Sequence, residues 1–350
     1  MTKHIRLETP ALVDPVPADH PAFAIGKIGV LIVNLGTPEA PEPEPVKRYL
    51  KQFLSDPRVV EIPALIWQPI LQLFVLNTRP RKSAAAYAEI WTDEGSPLAV
   101  VTRNQAAALQ TRMGAAATVD WAMRYGAPSI ETRIKAMKDS GCDRILIVPM
   151  YPQYSGATTA TGFDEVARVL GAMRWQPAIR TMPPYHDDPA YISALAASVR
   201  DGLAGLDFVP DVVLASFHSM PLRTLELGDP YHCHCRKTAR LLGDALSPEL
   251  SGSPLRVSFQ SRLGRAKWLE PATDATLEAL PGEGAKKIVV IAPGFSADNL
   301  ETLEEVAMQG HESFTEHGGT HFAYLPCLNA SDHGVTMLEV LVRRELGGWI

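Results

Sequence analysis

From residue 26 onward, short apolar runs rich in β-branched residues alternate with longer stretches of helical periodicity, and no other feature of the chain restricts its fold as strongly. Strands separated by helical crossovers pair in parallel, and strands covered on both faces read as nearly continuous apolar runs. Candidate strands cover 28–34, 119–125, 144–151 and 179–182, then 212–216, 256–260, 288–292 and 322–325. Helical patterns fall between them, for example at 130–138 and 190–203. The expectation is an α/β protein of two similar, Rossmann-like, doubly wound domains, each a four-stranded parallel sheet flanked by helices.

At 350 residues the chain exceeds the size at which one core stops growing, roughly 250–300 residues. The proline-rich seam Pro183-Pro-Tyr-His-Asp-Asp-Pro189 divides the strands four and four, giving domains at 26–184 and 185–350. The last helix is expected to pack back on the first domain. Residues 1–25 carry Pro10, Pro15, Pro17 and Pro21 with neither a secretory nor a transit pattern, and read as a flexible tail on a cytoplasmic protein. The stretch 37–113 has helical patches and no convincing strand. Insertions of that length commonly serve as lids or lips.

A net charge of −6 supplies no basic field for a phosphate backbone, which argues against a nucleic-acid partner. The apolar run 63–76 is shorter than the ~20 residues a spanning helix needs, and Gln68, Pro69 and Gln72 interrupt it. It is either a core helix or an apolar lip that touches a flat ligand or the surface of the inner membrane. Four scattered cysteines in so long a chain suit a reducing compartment.

Ligands of open α/β sheets bind beyond the carboxyl ends of the strands, so the residues following each strand carry most of the functional signal. No strand is followed by a glycine-rich nucleotide cradle. His218 follows an apolar strand, where an imidazole of ordinary pKa ~6.5 can exchange protons or bind a metal; a satisfied structural histidine fits that position as well. Asp298-Asn-Leu-Glu301 has the form of a capping box, which would occupy Glu301 at a helix start. Against that, Glu301, Glu305 and Gln309 recur every four residues, which puts two acids side by side despite their repulsion. His232-Cys-His-Cys235 places soft ligands together. With Cys142 and Cys327, Cys233 and Cys235 reach the thiol count of a [2Fe-2S] cluster, with free thiols as the alternative.

Taken in order, Asn34-Leu-Gly-Thr-Pro38, Gly95-Ser-Pro-Leu98, Met123-Arg-Tyr125, Tyr151-Pro-Gln-Tyr154, Ser216-Phe-His-Ser-Met-Pro221, Gly228-Asp-Pro-Tyr231, Phe259-Gln-Ser-Arg262 and Leu300-Glu-Thr-Leu303 resemble the ferrochelatase family over nearly the whole chain. The resemblance implies a chelatase-like fold and insertion of Fe2+ into protoporphyrin IX in heme biosynthesis. It implies His218 and Glu301 as the central catalytic and iron-handling pair, with Glu305 extending the acidic row. It places Leu35, Arg79, Tyr87, Ser96, Arg124 and Tyr125 against the porphyrin, and 63–76 in an apolar lip. Asn299 stands where many relatives have histidine, and Gln309 where some have a third acid. The cysteine spacing differs from the animal cluster, leaving only a variant [2Fe-2S] site. The resemblance also leaves two rivals: a chelatase of the same fold acting on a corrinoid precursor, and a tetrapyrrole carrier without catalysis.

Overall fold

The structure is a computed structural model that describes residues 26–350 apart from 251, 253, 263 and 265. The expected tail at 1–25 lies outside the described residues. Among the described residues, eight strands form two sheets: β1 (Lys27–Gly36), β2 (Thr118–Tyr125), β3 (Cys142–Pro149) and β4 (Ala178–Thr181), then β5 (Val212–His218), β6 (Leu255–Gln260), β7 (Lys287–Ile291) and β8 (His321–Tyr324). Each falls on one of the eight apolar runs, with ends within two residues of the expected ones. Every pairing is parallel. The orders are β2-β1-β3-β4 and β6-β5-β7-β8, so the second sheet repeats the permutation of the first. The repeat that individual residues do not reveal is thus present as topology.

The apolar runs are continuous because alternate residues feed different cores. In β1, Val30 and Ile32 join a cluster with Leu109, Met113 and Val148, while Leu31 and Val33 join another with Ile134, Ile147 and Val166. The former cluster also holds Val213, Ala215 and Phe217 of β5 and Val289 of β7, so both sheets share one central core. Helices Pro97–Met113, Pro189–Ala204, Tyr231–Ala245 and Asp332–Glu345 supply the layer between them. The last of these packs on Pro189–Ala204 and on Pro97–Met113. Arg112 donates to Thr336 at 3.0 Å, and Arg343 donates to the Arg112 carbonyl at 2.8 Å.

The insertion between β1 and β2 is helical, as its patches suggested: Pro43–Leu54, Ala64–Ile70, Leu76–Ile90 and Pro97–Met113, with Leu71–Val75 in π geometry. Two more π segments occur among the described residues, Gly156–Ala160 after β3 and Glu301–Gln309 after β7. Such segments are rare and concentrate at functional sites. One lies in the apolar run, and each of the others follows a strand's carboxyl end.

Candidate active site

In each sheet the chain leaves its central strand toward one edge and then crosses to the other side, creating a switch point between β1 and β3 and between β5 and β7. This is where a crevice opens in doubly wound sheets. The β5/β7 switch point carries His218 at the end of β5 and Glu301 nine residues beyond the β7–loop junction at Ala292. The β1/β3 switch point carries Leu35 and Thr37 on one side and Tyr151 on the other.

His218 Nδ1 lies 2.6 Å from the Ser219 carbonyl oxygen. A carbonyl can only accept, so Nδ1 holds the proton and Nε2 carries the lone pair of the neutral ring. The His218 carbonyl accepts from the Tyr231 hydroxyl at 2.9 Å, which anchors the backbone below the imidazole. Burial pushes the Glu301 carboxyl above the usual glutamate range; the His218 imidazole acts the other way, and Glu305 adds to the rise.

The capping role expected of Glu301 belongs to its neighbours. Asn299 Oδ1 accepts from the Thr302 N–H at 3.1 Å, and Thr302 Oγ1 accepts from the Asn299 N–H at 3.0 Å. The box is therefore Asn299–Thr302, one residue later than the sequence suggested. Asp298 turns away from the helix backbone to accept from Tyr324 at 2.7 Å, Thr302 Oγ1 at 3.1 Å and Asn329. Gln260, paired with His218 across β5 and β6, donates to the Glu301 carbonyl at 3.0 Å. Glu305 accepts from the Ser261 N–H at 2.7 Å and from the Ser261 hydroxyl, and Ser261 adopts φ +68°, unusual for a residue other than glycine.

The facing wall comes from the first sheet and the insertion. Gly36 at φ +121° pairs with Tyr125, and a Cβ there would sit 1.8 Å from the Tyr125 carbonyl oxygen, so only glycine lets the two strand ends meet. Thr37 donates to Ser96 at 2.7 Å. Tyr87 is buried beside Thr37 and Tyr49, and burial followed by the charge of Glu301 holds its phenol protonated. Tyr49 feels Glu301 as well. Leu35 is half-buried at the end of β1, and Arg79 is exposed on Leu76–Ile90. Arg124 is half-buried. Tyr125 is fully buried, and both residues bond to the buried Asp56, a residue the sequence reading passed over.

The apolar run 63–76 is not a core helix. Leu65 is 93% exposed, Leu73 and Phe74 each 65%, while Leu71 and Leu76 pack inward against Leu54. One helical ribbon thus shows its apolar residues to solvent and anchors itself through a minority of them.

The sequence profile of ferrochelatase matches residues 27–346. The ferrochelatase of Rhizobium meliloti (strain 1021) is 55% identical over 337 residues, covering 95% of this chain and 98% of its own. That of Azoarcus sp. (strain BH72) is 53% identical over 335 residues, with 95% and 92% covered. The chain belongs to the ferrochelatase family. In fold, it is similar to SirB from Bacillus subtilis solved with Fe3+, at a TM-score of 0.54 and 13% identity over 91% of this chain and 95% of that one. SirB from B. subtilis subspecies spizizenii, a sirohydrochlorin chelatase in complex with cobalt, gives 0.52 at 12% identity, with 92% and 96% covered. The chelatase fold expected of the family is therefore present.

The four cysteines of this ferrochelatase-family chain are not brought together. Cys142 starts β3 in the outer core of the first sheet, Cys235 sits in the central core, Cys327 lies by Tyr324 and Asp298, and Cys233 is exposed. Among the described residues, no group of three or more His, Cys, Asp and Glu side chains is arranged to hold a metal ion. The Cys-x-Cys spacing lies on a helix, which turns Cys233 outward and Cys235 inward.

Proposed function

We propose that this protein inserts Fe2+ into protoporphyrin IX to give protoheme and two protons, the last step of heme synthesis. Family membership along nearly the full length supports the reaction. The observation that carries its chemistry is the link between a half-buried Glu301 and His218: Gln260, the sheet partner of His218, donates to the Glu301 carbonyl at 3.0 Å, and the Ser219 carbonyl takes Nδ1–H of His218 and leaves Nε2 the lone pair.

Metallation removes two pyrrole protons, and two basic atoms are available for them: the Glu301 carboxylate, made more basic by burial, and Nε2 of His218. Each proton leaves its pyrrole nitrogen as that nitrogen's electron pair turns to the iron, so the charges balance at every stage. Glu305, held by Ser261, acts as a fixed carboxylate that guides the hydrated dication toward the ring. Leu35, Arg79, Tyr87, Ser96 and Arg124 line the porphyrin's place, with Tyr125 supporting them from beneath. Iron enters as substrate, and the separated thiols favour free cysteines over a [2Fe-2S] centre. A visible spectrum of protein purified without air then lacks cluster bands.

The exposed apolar ribbon fits peripheral contact with the inner membrane, where a poorly soluble porphyrin would partition. No helix among the described residues is long and apolar enough to cross a bilayer.

The test is an anaerobic insertion assay with protoporphyrin IX and Fe2+. Wild type is expected to form protoheme, and His218→Ala and Glu301→Gln to lose it by about 10²–10⁴-fold while still quenching porphyrin fluorescence. Wild-type rates in both variants would refute the pair, and binding without metallation by wild type would make the chain a carrier.

A further inference from the structure

Asp56 ends the turn after helix Pro43–Leu54, at the root of the apolar ribbon, and is 9% exposed. One of its oxygens, Oδ2, accepts from Arg124 Nη2 at 2.7 Å, from the Tyr125 hydroxyl at 2.9 Å and from the Thr161 hydroxyl. The other accepts from the Arg58 N–H at 2.8 Å. The Asp56 carbonyl takes the N–H groups of Val59 and Val60, each at 3.0 Å, which closes the turn that leads to the ribbon. These donors come from three segments distant in sequence: the ribbon's root, the end of β2, and the helix following the π segment Gly156–Ala160.

Arg124 is nearly immobilised by the same set. Its Nε donates to Thr161 O at 2.9 Å and to Thr161 Oγ1 at 2.8 Å, its Nη2 is taken by Asp56, and its Cζ lies 4.5 Å from the centroid of the Tyr125 ring. Only Nη1 has no protein partner among the described residues, and the side chain keeps 14% exposure. With Nε and Nη2 both engaged, the plane of the guanidinium is fixed, and so are the directions in which the two N–H donors of Nη1 point.

We propose that Asp56 is a positioning residue for the metallation reaction, holding Arg124 and the root of the apolar ribbon in the one arrangement that leaves Nη1 for the porphyrin. Stability alone is a poor reason for the cluster, because a buried ion pair replaced by apolar residues of similar volume is commonly no less stable. What a carboxylate with four donors supplies is a fixed geometry, and displacement of a binding group by about 1 Å costs on the order of 10² in rate. Despite its burial, hydrogen bonds from Thr161, Arg58 and Tyr125 and the charge of Arg124 keep the Asp56 carboxyl below the usual range, so it holds its partners as an anion.

The proposal rests on the porphyrin-metallating reading, so wild type is assayed first. If it does not metallate protoporphyrin, that reading fails; if it does, the variants judge Asp56 alone. The full chain carrying Asp56→Asn keeps the side chain's shape but loses one acceptor oxygen. Its kcat/KM for protoporphyrin is expected to fall by about 10- to 100-fold, mostly through KM. Because Asp56 acts through Arg124, adding Asp56→Asn to an Arg124→Met chain is expected to cost less than about twofold more. The same factor in both backgrounds, or no loss in the single variant, overturns the proposal. If Asp56→Asn does not fold, Tyr125→Phe replaces it, since it removes one donor to Asp56, keeps the ring beside Arg124 and strands no charge. It is expected to show a smaller loss that also disappears beside Arg124→Met, and an undiminished loss there would refute the proposal equally.

Discussion

Asn299 and Thr302 cap each other reciprocally at the start of the π segment that carries Glu301 and Glu305, with N···O distances of 3.1 and 3.0 Å. This frees the Glu301 side chain from a structural duty and fixes the backbone that presents it. Asn299→Ala removes the Oδ1 that accepts from the Thr302 N–H. It is expected to cost about 1 kcal/mol in urea denaturation and to slow metallation through a loosened Glu301. Asn299→Ser retains a capping oxygen and should recover most of both losses. An alanine variant as stable and active as wild type would show that the cap does not hold the acid.

Glu301 is held in a place that opposes its ionised form, so its removal should stabilise the fold while abolishing chemistry. Burial raises the folded carboxyl above the ordinary value of 4.5 and outweighs the opposing charge of His218. Between the unfolded and folded pKa values the native chain keeps a proton that the unfolded chain has released. Raising pH through this window strips that proton and lowers stability, by about 1.4 kcal/mol per unit of elevation. Thermal melts of wild type and Glu301→Gln from pH 4.5 upward should therefore diverge, with the variant increasingly the more stable. Parallel curves would mean that Glu301 is not strained by its site.

The Ser219 carbonyl selects the Nδ1–H tautomer of His218. In nitrogen-resolved NMR spectra of the neutral imidazole, Nε2 is expected to appear unprotonated and to shift when a redox-inert divalent metal is added. A protonated Nε2 in the neutral ring would remove the lone pair that both proposed roles of His218 require.

The alternation of apolar runs revealed both sheets because each strand is buried on two faces, and burial of that kind is written in every residue of the run. Val30 and Leu31 point into different cores, yet both must be apolar. The π segments left no such trace, since residues 301–309 keep an ordinary amphipathic pattern whatever their hydrogen bonding. The capping box was assigned one residue early because Asp298 and Asn299 are both good caps, and only the pull of Tyr324 and Asn329 on Asp298 separates them. Asp56 was invisible for a different reason: its partners Arg124 and Thr161 lie 68 and 105 residues away, and nothing local marks the meeting. The exposure of 63–76 was likewise undetermined, as composition does not reveal which face of an apolar helix finds a neighbour.

That ribbon separates into residues that hold it and residues that it displays, and the two groups should respond oppositely to substitution. Leu71 and Leu76 are buried against Leu54, so Leu71→Ala should cost about 2–5 kcal/mol in urea denaturation. Leu73 and Phe74 are exposed, and the pair Leu73→Ser, Phe74→Ser should change stability by less than about 0.5 kcal/mol each. If the displayed face meets lipid, this double variant should sediment less with vesicles of mixed zwitterionic and anionic lipid while its kcat toward detergent-solubilised porphyrin stays near wild type. If the face instead grips the porphyrin, KM rises in detergent and sedimentation is unchanged. Because two apolar side chains are removed and no charge is added, a loss of vesicle binding can be traced to lost insertion rather than to altered electrostatic attraction.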